Sequence, residues 1–118
     1  MNDMSNRPDD APAYFHFDNE NEIVETRFMG TVTLHDVGFE RVEAILFEES
    51  RADADDEAKK RMMDRVIKRL LFESMNGEHG ERLDPDEPLP GRIMMDMVKL
   101  RAAIVRMYGL DQGEVKNA

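Results

Sequence analysis

Residues 22–34 read Glu22-Ile23-Val24-Glu25-Thr26-Arg27-Phe28-Met29-Gly30-Thr31-Val32-Thr33-Leu34. The stretch alternates: Val24, Thr26, Phe28, Gly30, Val32 and Leu34 fall on one side, with Glu25 and Arg27 on the other. A period of two is the mark of a half-buried strand, because successive side chains of an extended chain point to opposite faces. Upstream lie a short aromatic run, Ala13-Tyr14-Phe15-His16-Phe17, and then Asp18-Asn19-Glu20-Asn21, residues that tolerate turn geometry. Together they predict a β-hairpin with a first strand over 13–17, a turn over 18–21 and a longer second strand ending at Leu34. Gly30 inside that strand marks a bulge or a close backbone approach.

Beyond Leu34 the period changes to that of a helix. Thr33-Leu34-His35-Asp36 has capping-box spacing, so a helix is expected to begin there. Leu34, Val42, Ile45 and Leu46 share its apolar face, with Val37 beside it, and it should end near Ser50. A second helix follows the acidic run Asp53-Ala54-Asp55-Asp56-Glu57, whose carboxylates suit a helix N-terminus: they cap free amides and face the positive end of the dipole. Its stripe is two residues wide and repeats every four: Met62/Met63, Val66/Ile67, Leu70/Leu71, Met75. Asp55–Lys59, Asp56–Lys60, Glu57–Arg61 and Asp64–Lys68 are acid-first pairs at i,i+4, the better orientation. Asn76-Gly77 is expected to close this helix with a residue suited to positive φ. Pro85, Pro88 and Pro90 hold residues 76–91 as a loop, and Pro90 suits the first turn of a third helix. That helix carries Ile93, Met97, Leu100, Ile104 and Met107/Tyr108 on one face, and Gly109-Leu110 stops it with an apolar cap.

The chain therefore reads as an α+β protein, an N-terminal β-hairpin followed by three α-helices packed in one small domain over residues 13–110. Residues 1–12 are polar and rich in Asp, Asn and Pro, a disordered arm expected to be dispensable for folding. Residues 111–118 form a short polar tail.

Composition narrows the function classes. Sixteen Lys and Arg against 26 Asp and Glu leave a formal net charge of −10 in 118 residues. Nucleic-acid affinity comes largely from Lys and Arg displacing phosphate counterions, so this balance speaks against generic polynucleotide binding. Without cysteine the chain has no disulfide, no thiol nucleophile and no thiolate metal ligand. No apolar run approaches the ~20 residues of a membrane span, and the N-terminus lacks the basic start and apolar middle of a signal peptide, so the expected location is cytoplasmic.

No catalytic motif emerges. His16, His35 and His79 make no i,i+3 or i,i+4 pair. Ser5, Ser50 and Ser74 lie in no nucleophile elbow. Gly77 and Gly80 form no phosphate-binding loop. His79 with Glu78, Glu81, Asp84, Asp86 and Glu87 is the densest group of potential metal ligands, but its spacing does not match a calcium loop. The expectation is a non-enzymatic chain with no cofactor and no metal.

What stands out is apolar surface. Two strands leave two open edges. Seven methionines lie on the last two helices, and Met94, Met95 and Met97 cover more than one face of the third. Methionine is flexible and polarizable and suits adaptable binding surfaces. The arc of the third helix is wider than the ~100° stripe that one core contact uses. Met94, Met97, Val98, Val105 and Tyr108 are therefore the candidate partner-binding residues, for another protein or a second copy.

Two resemblances bear on this reading. Ala103 to Val115 resembles a helix-turn-helix: a helix, a turn at Gly109, and an apolar residue, Val115, six places on. Val105 stands where that pattern has a small residue. The resemblance implies a small DNA-binding transcription regulator. A hairpin followed by helices in a small acidic chain is also similar to some tailed-phage assembly chaperones and accessory proteins. The expected function is a protein–protein interaction module, an adaptor, assembly factor or inhibitor, with the DNA-binding regulator as the alternative.

Overall fold

A computed structural model describes residues 12–18, 20–50 and 55–111. The architecture is α+β: a three-stranded antiparallel sheet from the hairpin and one later strand, with three helices, in one small domain. The chain runs β1 (Glu22–Glu25), β2 (Thr31–Leu34), α1 (Phe39–Glu49), α2 (Asp56–Ser74), β3 (Met75–Asn76), a 3-10 turn (Gly91–Ile93) and α3 (Met94–Tyr108). The 1–11 part of the expected arm and the tail from residue 112 lie outside the described residues.

The hairpin sits further along the chain than its sequence pattern suggests. Residues 12–18 form no strand, and the single long strand expected over 22–34 is folded in two about Thr26–Gly30. Val24 pairs with Val32 and Glu22 with Leu34. Folding at the centre preserves the alternation, because both arms put their even-numbered apolar residues on one face: Val24, Val32 and Leu34 are all buried. Thr26 closes the turn, its backbone N–H and its hydroxyl both donating to the Gly30 carbonyl at 3.0 and 2.7 Å. Gly30 adopts φ +76°, a left-handed conformation that costs an ordinary residue about 1 kcal/mol. The glycine is thus the end of the turn.

α1 begins at Phe39, five residues later than the capping-box spacing suggests. Thr33 and Leu34 remain in β2, and the Asp36 carboxylate accepts from the Gly38 N–H at 2.8 Å, closing a local turn before the helix. Helix and strand compete for Leu34, and strand wins because β3 pairs it with Met75. α1 ends at Ser50, as expected.

α2 starts as its acidic run predicts, with Asp55 accepting from the Ala58 N–H at 2.8 Å. Of the four i,i+4 pairs, Glu57–Arg61 makes an ion pair at 3.6 Å, while Asp64 reaches Arg101 on α3 at 3.1 Å. The helix does not end on a glycine cap. Met75 turns extended at φ −98°, ψ 143°, and Met75-Asn76 pairs directly with Leu34-Thr33 as β3. The Ser74 carbonyl then accepts from the His35 N–H at 2.8 Å. The Ser74 carbonyl, one of the acceptors a helix end leaves without an intrahelical partner, is thus engaged by the residue that follows β2.

α1 and α2 run antiparallel. Arg41 grips Glu73 bidentately (Nε–Oε1 2.7 Å, NH2–Oε2 2.6 Å), and Glu49 takes Arg65 and Arg69 at the other end of the pair. α2 lies against β2 and α3 against β1. Between them the core holds Val32, Leu34, Ile45, Val66, Leu70, Leu71, Leu100 and Ile104, all fully buried. α3 ends at Gly109 in the left-handed conformation (φ 66°), and the Leu110 N–H returns to the Val105 carbonyl at 3.0 Å. Leu110 packs on the core, as its place in the cap predicts.

Candidate interaction surfaces

The five partner-binding candidates divide in two. Met94 and Val98, one helical turn apart near the start of α3, are 64% and 52% exposed. Met97, Val105 and Tyr108 are partly buried and pack against the protein's own core. α3 is wedged between β1 and α2, so it buries more than the one stripe a simple helix contact needs. That wedge accounts for much of its wide apolar arc.

Tyr108 has a specific internal task. Its hydroxyl lies 2.7 Å from the Ser74 hydroxyl, accepts from the Val37 N–H at 3.1 Å and lies 3.4 Å from the His35 carbonyl. One phenol oxygen thereby ties α3 to the end of α2 and to the segment leaving β2. Ser74 is fully buried, and this contact satisfies its hydroxyl. Tyr108→Phe should cost about 1–3 kcal/mol in denaturant unfolding, the usual loss when a buried polar group is left without its partner. An unchanged midpoint would show that water replaces the phenol.

Asp96 is the residue that sequence reasoning missed. It lies in the first turn of α3, yet it is only 4% exposed. Its carboxylate accepts three consecutive backbone N–H groups of the hairpin turn: Arg27 at 3.1 Å, Phe28 at 2.9 Å and Met29 at 3.0 Å. Burial opposes its ionisation. The donors from Phe28, Arg27 and Met29, with the Thr26 side chain, outweigh that and hold the carboxyl below its ordinary range. No spacing in the sequence announces this contact, which joins residues almost seventy positions apart.

Beside this latch the surface is apolar. Met95 is 71% exposed, and Met95, Val98 and Ala102 line one wall of a groove of about 450 Å³ whose other wall is Glu25, Thr26 and Arg27. Lys99 donates to the Glu25 carbonyl at 2.6 Å across it, covering part of the open β1 edge. Further apolar side chains stand exposed elsewhere, among them Ile23 on β1, Phe28 in the turn, and Phe39 and Phe47 on α1.

A second depression, of about 530 Å³, lies between α2 and the loop after β3. Phe72, Leu83 and Pro85 supply its apolar lining, and Arg65, Lys68, Arg69 and Arg82 its cations, with Glu49 and Glu73. The Arg65 hydrogen bond lowers the Glu49 pKa, against the opposing effect of burial and with help from Arg69. The Arg41 fork does the same for Glu73. Such firmly ionised carboxylates are poor proton carriers near neutral pH.

No protein-family model, curated protein or solved structure matches this chain. Among the described residues, no group of three His, Asp or Glu side chains is placed to hold a metal ion, and no helix is long and apolar enough to cross a membrane. The second helix of the helix-turn-helix resemblance falls beyond residue 111, outside the described residues.

Proposed function

We propose that this protein is a non-enzymatic protein–protein interaction module, an adaptor or assembly factor, that engages another protein through the start of α3 and the adjoining hairpin turn. One observation carries the reading: Met94, Met95 and Val98 are exposed side by side on a helix whose opposite faces are already committed to the core. An apolar cluster beside a groove is the kind of surface that partner helices cover. The Asp96 latch supports it, because three hydrogen bonds hold the turn against α3 and little ordering remains to be done on binding. The acidic exterior favours a protein partner over a polynucleotide.

The test is a pair of charge substitutions, Val98→Asp and Met94→Asp, in the full chain. Partners recovered by affinity capture and identified by mass spectrometry should then be rebound as purified proteins, and both variants should weaken that binding at least about tenfold. Helix content by circular dichroism should stay at the parent value, since both side chains face solvent. Purified partners that bind the variants as tightly as the parent would rule this surface out.

A further inference from the structure

We propose that the protein self-associates by arm exchange: the aromatic segment over residues 13–18 of one copy docks in the cationic cleft between α2 and the 78–90 loop of a second copy. This surface is separate from the α3 face, and the proposal does not depend on that reading.

The first ground is the segment itself. Tyr14, Phe15 and Phe17 precede β1 and touch no core; Phe15 and Phe17 are 88% and 80% exposed. They stand two apart in an irregular stretch, with ring centroids 6.2 Å from each other, so they form one apolar knob. Three uncovered aromatics in seven residues are costly to leave in water, and nothing in the segment's own fold covers them.

The second ground is the cleft. Its lining has four cations against two carboxylates, an excess of positive charge in a chain whose net charge is −10. Arg65 and Arg69 are held by Glu49 and Glu48. Among the described residues, neither Lys68 nor Arg82 is in an ion pair: Lys68 sits over the Phe72 ring at 5.6 Å, and Arg82 donates to the neutral Asn76 side chain at 3.0 Å. The cleft thus offers an apolar lining beside two cations that make no direct ion pair, Arg82 acting on Glu73 only at longer range.

The third ground is complementarity. Phe15 and Phe17 are followed by Asp18 and Glu20. An aromatic pair next to acidic residues matches Phe72, Leu83 and Pro85 next to Lys68 and Arg82. The space, about 530 Å³, is of the size that accepts two aromatic rings. Reciprocal exchange between two copies closes on itself as a two-fold dimer, with each arm in its partner's cleft and no site left over.

Sedimentation equilibrium across a range of protein concentrations tests this. The parent chain should show a monomer–dimer equilibrium that weakens as salt is raised, because the exposed charge pairs are screened. The double variant Phe15→Ala/Phe17→Ala should raise the dimer Kd at least about tenfold, and so should Lys68→Glu/Arg82→Glu. All four side chains are exposed, so folding is not at stake. Combining Lys68→Glu/Arg82→Glu with Asp18→Lys/Glu20→Lys should restore dimerisation. A labelled synthetic peptide of residues 12–21 should bind the full-length Phe15→Ala/Phe17→Ala chain, and should not bind it once Lys68 and Arg82 are also Glu. A chain monomeric at every concentration overturns the proposal, including one whose cleft is shielded by its own arm. So does a dimer that Val98→Asp abolishes while the arm and cleft variants leave it intact; that result would leave the α3 surface standing.

Discussion

Leu70→Ala is expected to lower the free energy of unfolding by about 2–5 kcal/mol, the range for removing a fully buried leucine from a packed core. Leu70 has no exposed surface and stands in the C-terminal half of α2, with Val66, Ile67 and Leu71 around it in the core. α2 contacts α1, α3 and β2, so a cavity at this position loosens all of them. For a domain with the usual total stability of 5–15 kcal/mol, a loss at the top of that range approaches unfolding. Urea denaturation followed by circular dichroism measures it. A loss under about 0.5 kcal/mol belongs to surface positions and would mean that α2 does not occupy the centre of the fold.

Asp96→Asn should produce the second large effect, and it should be local before it is global. An amide has one acceptor oxygen, and its NH2 group confronts the N–H donors that the second carboxylate oxygen now receives. The amides of Arg27, Phe28 and Met29 should exchange with solvent much faster in the variant, and the melting temperature should fall by several degrees. The pH dependence has a definite sign. Because the folded-state pKa of Asp96 is depressed, its contribution is fully present above the ordinary aspartate range and is lost as pH falls through the lower folded value. The gap between parent and variant should therefore be constant near neutrality and close in acid. Unchanged exchange at residues 27–29 would show that the turn holds its shape without the carboxylate.

The helices were largely legible in the sequence because their determinants are local. Asp55 caps the residues that follow it, the Val66/Ile67 and Leu70/Leu71 pairs face inward by simple periodicity, and Gly109 ends α3 through its own φ angle. The position of the hairpin was not legible in the same way. Alternation over 22–34 is the same whether the stretch is one long strand or two short ones folded at Thr26–Gly30, since the even-numbered residues share a face in both cases. The aromatic run over 13–17 has strand-like composition, but composition alone carries no pairing partner, and the segment stays without one among the described residues.

The candidate surface shows the same division. That α3 carries more apolar surface than one contact needs follows from its sequence. Which of those residues remain exposed does not, because it depends on α3 lying between β1 and α2, which buries Ile104 and Leu100 fully and draws Met97, Val105 and Tyr108 partly inward. Met94, Met95 and Val98 are left outside by that geometry.

The sequence by itself determined what each segment can do alone: an acidic, cysteine-free chain, strand before helix, three amphipathic helices and three of their ends. Tertiary structure decided what depends on a distant partner. Met75-Asn76 became a strand because Thr33-Leu34 was there to pair with it, Tyr108 turned inward to meet Ser74, and Asp96 lost its water to three amides of the hairpin turn. Periodicity and capping act within a turn or two of the chain. Hydrogen bonds between residues 34 to 69 positions apart exist only once the core has drawn those segments together, so no local pattern can encode them.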